Sequence, residues 1–182
     1  IVDTKGSHSD LTGEYAAVRT EMEQVAAFFG KKVLREISKK DVIENAGAIS
    51  KAVSERAVLR ALHFFNENER VEKQVTFLKA GDFENFKKLV VESGFSSYMY
   101  NQNVYSNKAP KNQPVSLGLA LSEELLKGRG AWRVHGGGFA GTIQAFVPNE
   151  LLEQYTALMS SVFGSDSCYV LSIRPVGGAK FI

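Results

Sequence analysis

A chain of 182 residues suffices for one domain or one large lobe, and its 44% hydrophobic and 23% charged content is ordinary for a water-borne fold. Twenty-two basic residues stand against 20 acidic ones, scattered rather than clustered, for a net charge of +2. That balance argues against a nucleic-acid partner or an anionic membrane surface, and no apolar run approaches the length of a membrane span.

The chain opens on "IVDTK", which reads as a short strand, already under way as though cut from something longer. Tyr15, Val18, Met22, Val25 and Phe29 then recur at helical spacing, with Gly30 closing that helix. "SKKDVIENAG" predicts a short helix capped by Ser38, with Asp41 three residues on. A long helix is predicted over 50–80, its apolar stripe made of Ala57, Ala61, Phe64, Val71, Val75 and Leu78. Asp82 is placed to cap a further helix that turns Phe83, Phe86, Leu89 and Val90 inward and stops at Gly94. Residues 94–112 read as a structured loop, and Pro114 suits the first turn of the next helix, which runs to about Lys127.

The tail changes character. "AWRVH" and "TIQAFV" predict two strands, "NELLEQYTALMSSVFG" a helix capped by Asn149 and closed by Gly164, and "CYVLSIRP" a last strand. Helices followed by strand, glycine loop, strand, helix, strand predict an α+β fold, an antiparallel sheet with helices packed on one side. No linker or repeat divides the chain, so 1–182 is read as one lobe. The single cysteine, Cys168, precludes an internal disulfide and fits a reducing, cytoplasmic setting; it is expected to act as a small buried hydrophobe.

Between the two tail strands lies "HGGGFAG". Gly136, Gly138 and Gly141 satisfy G-x-G-x-x-G, but the dinucleotide fingerprint needs a helix next, and here a strand follows. A protein-kinase glycine loop does lie between strands, yet the 41 residues after Gly141 hold none of its downstream motifs. The residues alone leave a tight glycine hairpin packed on a helix. His8, His63 and His135 are never at metal-ligand spacing, so no metal site is expected. His63 and Glu67 read as a surface or capping pair, Arg19 and Arg133 as members of ion pairs.

"GRGAWRVHGGGFAGTIQAFVP" closely resembles the third signature segment of the galactokinases, within the GHMP small-molecule kinase superfamily. "SHSDLTGEYAAVRTEMEQVA", "RALHFFNENERV", "GDFENFKKLVVESGFSS" and "CYVLSIRPVGGA" resemble further segments of that family, in its order. His135 and Ala140 depart from the usual Thr and Gly, and "YMYNQNVYSNKAPKNQP" departs from an acidic stretch, which puts the sugar in more doubt than the kinase chemistry. The family's N-terminal sugar segment and serine-rich phosphate loop have no counterpart in this sequence.

The resemblance implies the ferredoxin-like C-terminal lobe of a kinase that transfers the γ-phosphoryl group of Mg-ATP to the anomeric hydroxyl of galactose. It implies that an N-terminal lobe supplies the catalytic groups and most of the ATP and Mg contacts, so that no catalytic residue is assigned here. Gly136, Gly137 and Gly138, and less firmly Gly141, are expected to bring backbone against the phosphates. On that expectation Gly137→Val in the full-length parent would reduce activity strongly and leave the lobe folded. Tyr15 aligns with a sugar-contacting tyrosine, and its hydroxyl should then face the same open side as the loop; enclosure in the lobe's own core would end that role. The isolated lobe is expected to be inactive, to expose an apolar face and to self-associate. An amino-sugar kinase, a galactose and ATP sensor on the same fold, and a stand-alone ligand-binding module are the alternatives.

Overall fold

The computed structural model describes residues 1–7, 11–173 and 176–177. His8, the end of the predicted last strand at Arg174 and Pro175, and the Gly178 and Ala179 tail lie outside the described residues.

β1 (Val2–Asp3) is followed by α1 (Thr12–Phe28), α2 (Lys39–Glu44), α3 (Ala46–Ala52), α4 (Glu55–Lys79), α5 (Phe83–Ser96) and α6 (Pro114–Leu126). Then come β2 (Ala131–Val134), β3 (Thr142–Phe146) and α7 (Leu152–Phe163). Short 3-10 turns sit at Leu34–Glu36 and Asn149–Leu151, and a π-helical turn spans Ser97–Asn101. The three strands form an antiparallel sheet in the order β1-β3-β2.

Strand alternation sorts the sheet's two faces. Trp132, Val134 and Ile143 point to one side and bury against α6 and α7, with Val115, Leu126, Tyr155 and Met159. Phe146 points to the other and meets Phe83 and Phe86 of α5 edge-to-face. Helices thus meet both faces of the sheet rather than one. A second core gathers Val25, Ala26, Leu34, Val42, Ile49, Ala57 and Ala61 between α1 and the first half of α4.

Several expectations are met residue by residue. Ser38 accepts the Asp41 N–H while the Asp41 carboxylate accepts the Ser38 N–H, a capping box. Asp82 caps α5 through the Asn85 N–H. Others are corrected. The long helix over 50–80 is two helices, because Ser54 adopts extended backbone and caps α4 through the Ala57 N–H. Its stripe is buried only at the start: Ala57 and Ala61 are inside, while Val71, Val75 and Leu78 are exposed.

Gly94 does not stop α5. A Cβ there would stand 3.0 Å from the Trp132 carbonyl oxygen and 3.2 Å from the Arg133 Cα, so the missing side chain lets helix and strand meet. Asn149 caps no helix with its side chain. The last strand is reduced to a single bridge between Val2 and Cys168, flanked by the Tyr169 N–H bond to the Ile1 carbonyl. Val170, Leu171 and Ile173 are exposed. Among the described residues no helix is long and apolar enough to cross a membrane.

His63 sits inside, 9% exposed, with Nδ1 2.8 Å from the Ser96 hydroxyl. It does not pair with Glu67, which bonds Arg70 and Ser93 instead. Burial, then the nearby Arg70 and Arg133 charges, push the imidazole from 6.5 down to about 4. The folded chain therefore holds His63 neutral, while the unfolded chain takes up a proton below about 6.5. Stability from this group is present above that pH and lost as pH falls toward about 4. The loss should reach about 2–3 kcal/mol. Melting curves between these pH values should show His63→Gln with a flatter acid limb than the parent; parallel limbs would refute the assignment.

Candidate functional site

The hairpin between β2 and β3 is closed at its own neck and held by groups from three distant places in the chain. The His135 N–H bonds the Thr142 carbonyl at 3.0 Å and closes the hairpin neck. The Gly141 carbonyl accepts both the Thr4 N–H, at 2.8 Å, and the Thr4 hydroxyl, at 2.7 Å. From α1, the Tyr15 hydroxyl donates to the Gly138 carbonyl at 2.8 Å, and the ring meets Phe139 edge-on at 5.3 Å between centroids. Leu11, Phe139 and Ala140 bury together, with Tyr15 and Val18 against them. Asn103 supplies the fourth hold, donating its amide to the Gly137 carbonyl at 3.1 Å and accepting the Phe139 N–H on its own carbonyl at 2.5 Å.

The carbonyls of Gly137, Gly138 and Gly141 are thus taken up internally. The N–H groups of Gly136, Gly137 and Gly138 donate to no group among the described residues, and Gly136 and Gly137 are exposed. Gly136 and Gly138 are left-handed, with φ of 69° and 80°, on either side of Gly137. Successive N–H groups with such alternating backbone can gather around an anion.

The three glycines differ in the space around them. A side chain at Gly136 would meet nothing within 4 Å. At Gly137 a Cβ would stand 2.8 Å from the Tyr15 ring, so a valine there would press on this chain's own Tyr15 and its effect on activity would not report the phosphates alone. The collision lies within this chain, and the substitution would displace Tyr15. At Gly138 a Cβ would strike the Asn103 carbonyl, which makes glycine obligatory there.

Tyr15 and the glycines therefore meet, as the alignment implied, but the hydroxyl turns onto the loop's own backbone and the residue is half-buried. Burial pushes its phenol up from the ordinary value. Tyr15→Phe keeps the ring and deletes the bond to Gly138, so it should cost about 0.5–1.5 kcal/mol of stability. Denaturant unfolding measures this directly, and an unchanged midpoint would show that the bond contributes nothing.

Behind the loop lies a charged cluster that periodicity does not reveal. Arg60 is fully buried; its Nε donates to the Asn101 carbonyl at 3.0 Å and one terminal nitrogen to Glu21 at 2.9 Å. Arg56 grips the same carboxylate, at 2.5 Å. Glu14, also buried, accepts from the Ser106 hydroxyl. This cluster ties α1 and α4 to the turn Ser97–Asn101 and to the segment that carries Asn103. The sequence signal was present, in Arg56 and Arg60 four apart on one helix and Glu14 and Glu21 seven apart on another, but charged residues at helical spacing usually mark a solvated face. Arg19 pairs with Glu23 on the surface at 2.7 Å, as expected. Arg133 has no ion-pair partner among the described residues; its Nε donates to the Val134 carbonyl, and burial lowers its pKa.

No family model matches the chain. It is 34% identical over 160 residues to the galactokinase of Glaesserella parasuis serovar 5, an alignment that covers 88% of this chain and 40% of that protein. It is 35% identical over 163 residues to the galactokinase of Thermotoga petrophila, covering 85% of this chain and 42% of that protein. The fold superimposes on the Lactococcus lactis galactokinase solved with galactose, with a TM-score of 0.70 at 18% identity, over 89% of this chain and 40% of that one. With the fold and the sequence in agreement, the chain is a homologue of the galactokinases, spanning about two-fifths of the length of the relatives it matches.

Proposed function

We propose that this chain forms the C-terminal lobe of a cytoplasmic galactokinase-type enzyme, which moves the γ-phosphoryl group of Mg-ATP onto the anomeric hydroxyl of galactose. The observation that carries the reading is the hairpin loop: the Gly137 and Gly138 carbonyls are held inside while three successive N–H groups have no partner among the described residues. Phosphoryl transfer asks a protein mainly for position and for stabilisation of spread negative charge. Backbone donors at Gly136, Gly137 and Gly138 suit phosphate oxygens because they are fixed before the ligand arrives. Gly141 belongs to the neck of the hairpin, where Thr4 occupies its carbonyl. In this reading its part is to set the loop's angle.

Tyr15 would serve twice, bracing the loop through Gly138 and presenting its ring edge to the sugar. Among the described residues no group of three or more His, Cys, Asp and Glu is placed to hold a metal ion. In this reading magnesium and the catalytic base belong to an N-terminal lobe, together with most of the ATP contacts, as the resemblance implies. The exposed Val71, Val75, Leu78, Val170, Leu171 and Ile173 favour self-association of the chain by itself. A coupled assay of ADP release should find no galactose-dependent turnover by this chain alone. Turnover by the pure chain would overturn the division of labour between lobes.

A further inference from the structure

Asn103 lies in none of the segments that carry the resemblance, yet it touches the glycine loop at two consecutive peptides. It is 5% exposed and follows Gln102, which is left-handed with φ of 54°. Its amide holds the Gly137 carbonyl, and its carbonyl holds the Phe139 N–H. In a trans peptide the carbonyl and the following N–H point opposite ways. Fixing the Gly137 carbonyl on Asn103 therefore aims the Gly138 N–H away from Asn103. Fixing the Phe139 N–H likewise aims the Gly138 carbonyl away, toward the Tyr15 hydroxyl that receives it. Two successive peptides are locked in opposite senses by one residue.

The hold is directional as well as close. The amide must present its nitrogen to the Gly137 carbonyl, because the reverse orientation would set two oxygens against each other. Its Oδ1 is buried and accepts nothing among the described residues. A buried acceptor left in this state costs free energy that packing alone would not retain. Asn103 is itself held from behind, since Arg60 bonds the carbonyl of Asn101 two residues earlier.

We propose that Asn103 is a positioning residue: it orients the peptides at 137–139 so that the N–H of buried Gly138 is turned to the same side as those of exposed Gly136 and Gly137, behind which it completes a wall for a polyphosphate. The inference rests on the reading of the loop as a phosphate-facing wall. It adds a residue of this lobe that never touches the ligand but decides whether the loop binds it.

Two variants separate orientation from packing. Asn103→Leu keeps approximate shape and removes the donor; Asn103→Asp keeps the outline and replaces the donor with an acceptor. Both leave the main-chain carbonyl in place. Inorganic tripolyphosphate is titrated into the chain while amide resonances and amide exchange rates are followed by NMR. In the parent chain, the amides of Gly136, Gly137 and Gly138 are expected to shift. In both variants, exchange at Phe139, whose N–H is bonded to the Asn103 carbonyl, should accelerate by about tenfold or more as the loop opens locally. Tripolyphosphate affinity should fall by about tenfold, the equivalent of one lost fixed interaction. Exchange and affinity within about twofold of the parent, in either variant, would overturn the role of Asn103. Parent amides that ignore tripolyphosphate would overturn the phosphate reading itself, whatever the variants do to exchange.

Discussion

Neutralising Glu21 as Glu21→Gln is expected to cost the fold about 3–5 kcal/mol, the range found when one partner of a buried ion pair is removed. Glu21 has only 13% of its side chain exposed and faces two arginines at once. Arg60 beside it is fully buried, and burial already disfavours its charge. One of its terminal nitrogens has no partner even in the intact chain. Without the Glu21 charge, Arg60 keeps the Asn101 carbonyl and the more distant Glu14 as its only compensation. Arg56, half-exposed, can turn to water; Arg60 cannot. Urea unfolding of parent and variant measures the difference. A cost below about 1 kcal/mol would mean that the cluster behaves as an ordinary surface pair. Pairing the change with Arg60→Met should recover part of the loss, because the stranded charge goes with it.

Gly138→Ala is the second substitution with a large expected effect. Left-handed backbone costs an ordinary residue about 1–2 kcal/mol, and forcing a methyl into filled space adds about 1–3 kcal/mol. Both apply here, since φ is 80° and the added carbon meets the Asn103 carbonyl. Gly136→Ala is the internal control. It carries the same backbone penalty, at φ of 69°, but has open space around it, so about 1 kcal/mol is expected. Unfolding midpoints should therefore rank the parent above Gly136→Ala and both above Gly138→Ala. Equal costs at the two positions would show that Asn103 does not press on the loop.

These residues also mark what could be seen in advance. Caps and strands were legible because local chemistry decides them: Ser38 with Asp41, Asp82 with Asn85, Pro114 at a helix start, and β-formers on both sides of the glycine hairpin. The fold class followed from their order. Gly94 misled because glycine marks a helix end and a close approach with the same letter, and only the Trp132 carbonyl opposite tells them apart. Val71, Val75 and Leu78 misled because periodicity shows which residues share a face, not whether anything covers it. At the candidate site, the glycines and Tyr15 were singled out through the family likeness. Their mutual packing was not, since a hydroxyl's partner 123 residues away leaves no trace in spacing. Asn103 and Arg60 were missed for the same reason: each acts across the fold through one or two bonds, inside segments whose composition suggests a loop and a solvated helix.

The central claim is that this lobe presents the Gly136, Gly137 and Gly138 loop to the phosphates in a galactose kinase. The most direct measurement replaces the matching stretch of the Thermotoga petrophila galactokinase with this chain and follows galactose 1-phosphate by phosphorus NMR in the presence of galactose and Mg-ATP. Galactose 1-phosphate should form, and Gly138→Ala should abolish it while galactose binding persists. A folded, galactose-binding chimera that makes no galactose 1-phosphate, or one whose turnover ignores Gly138→Ala, would contradict the claim.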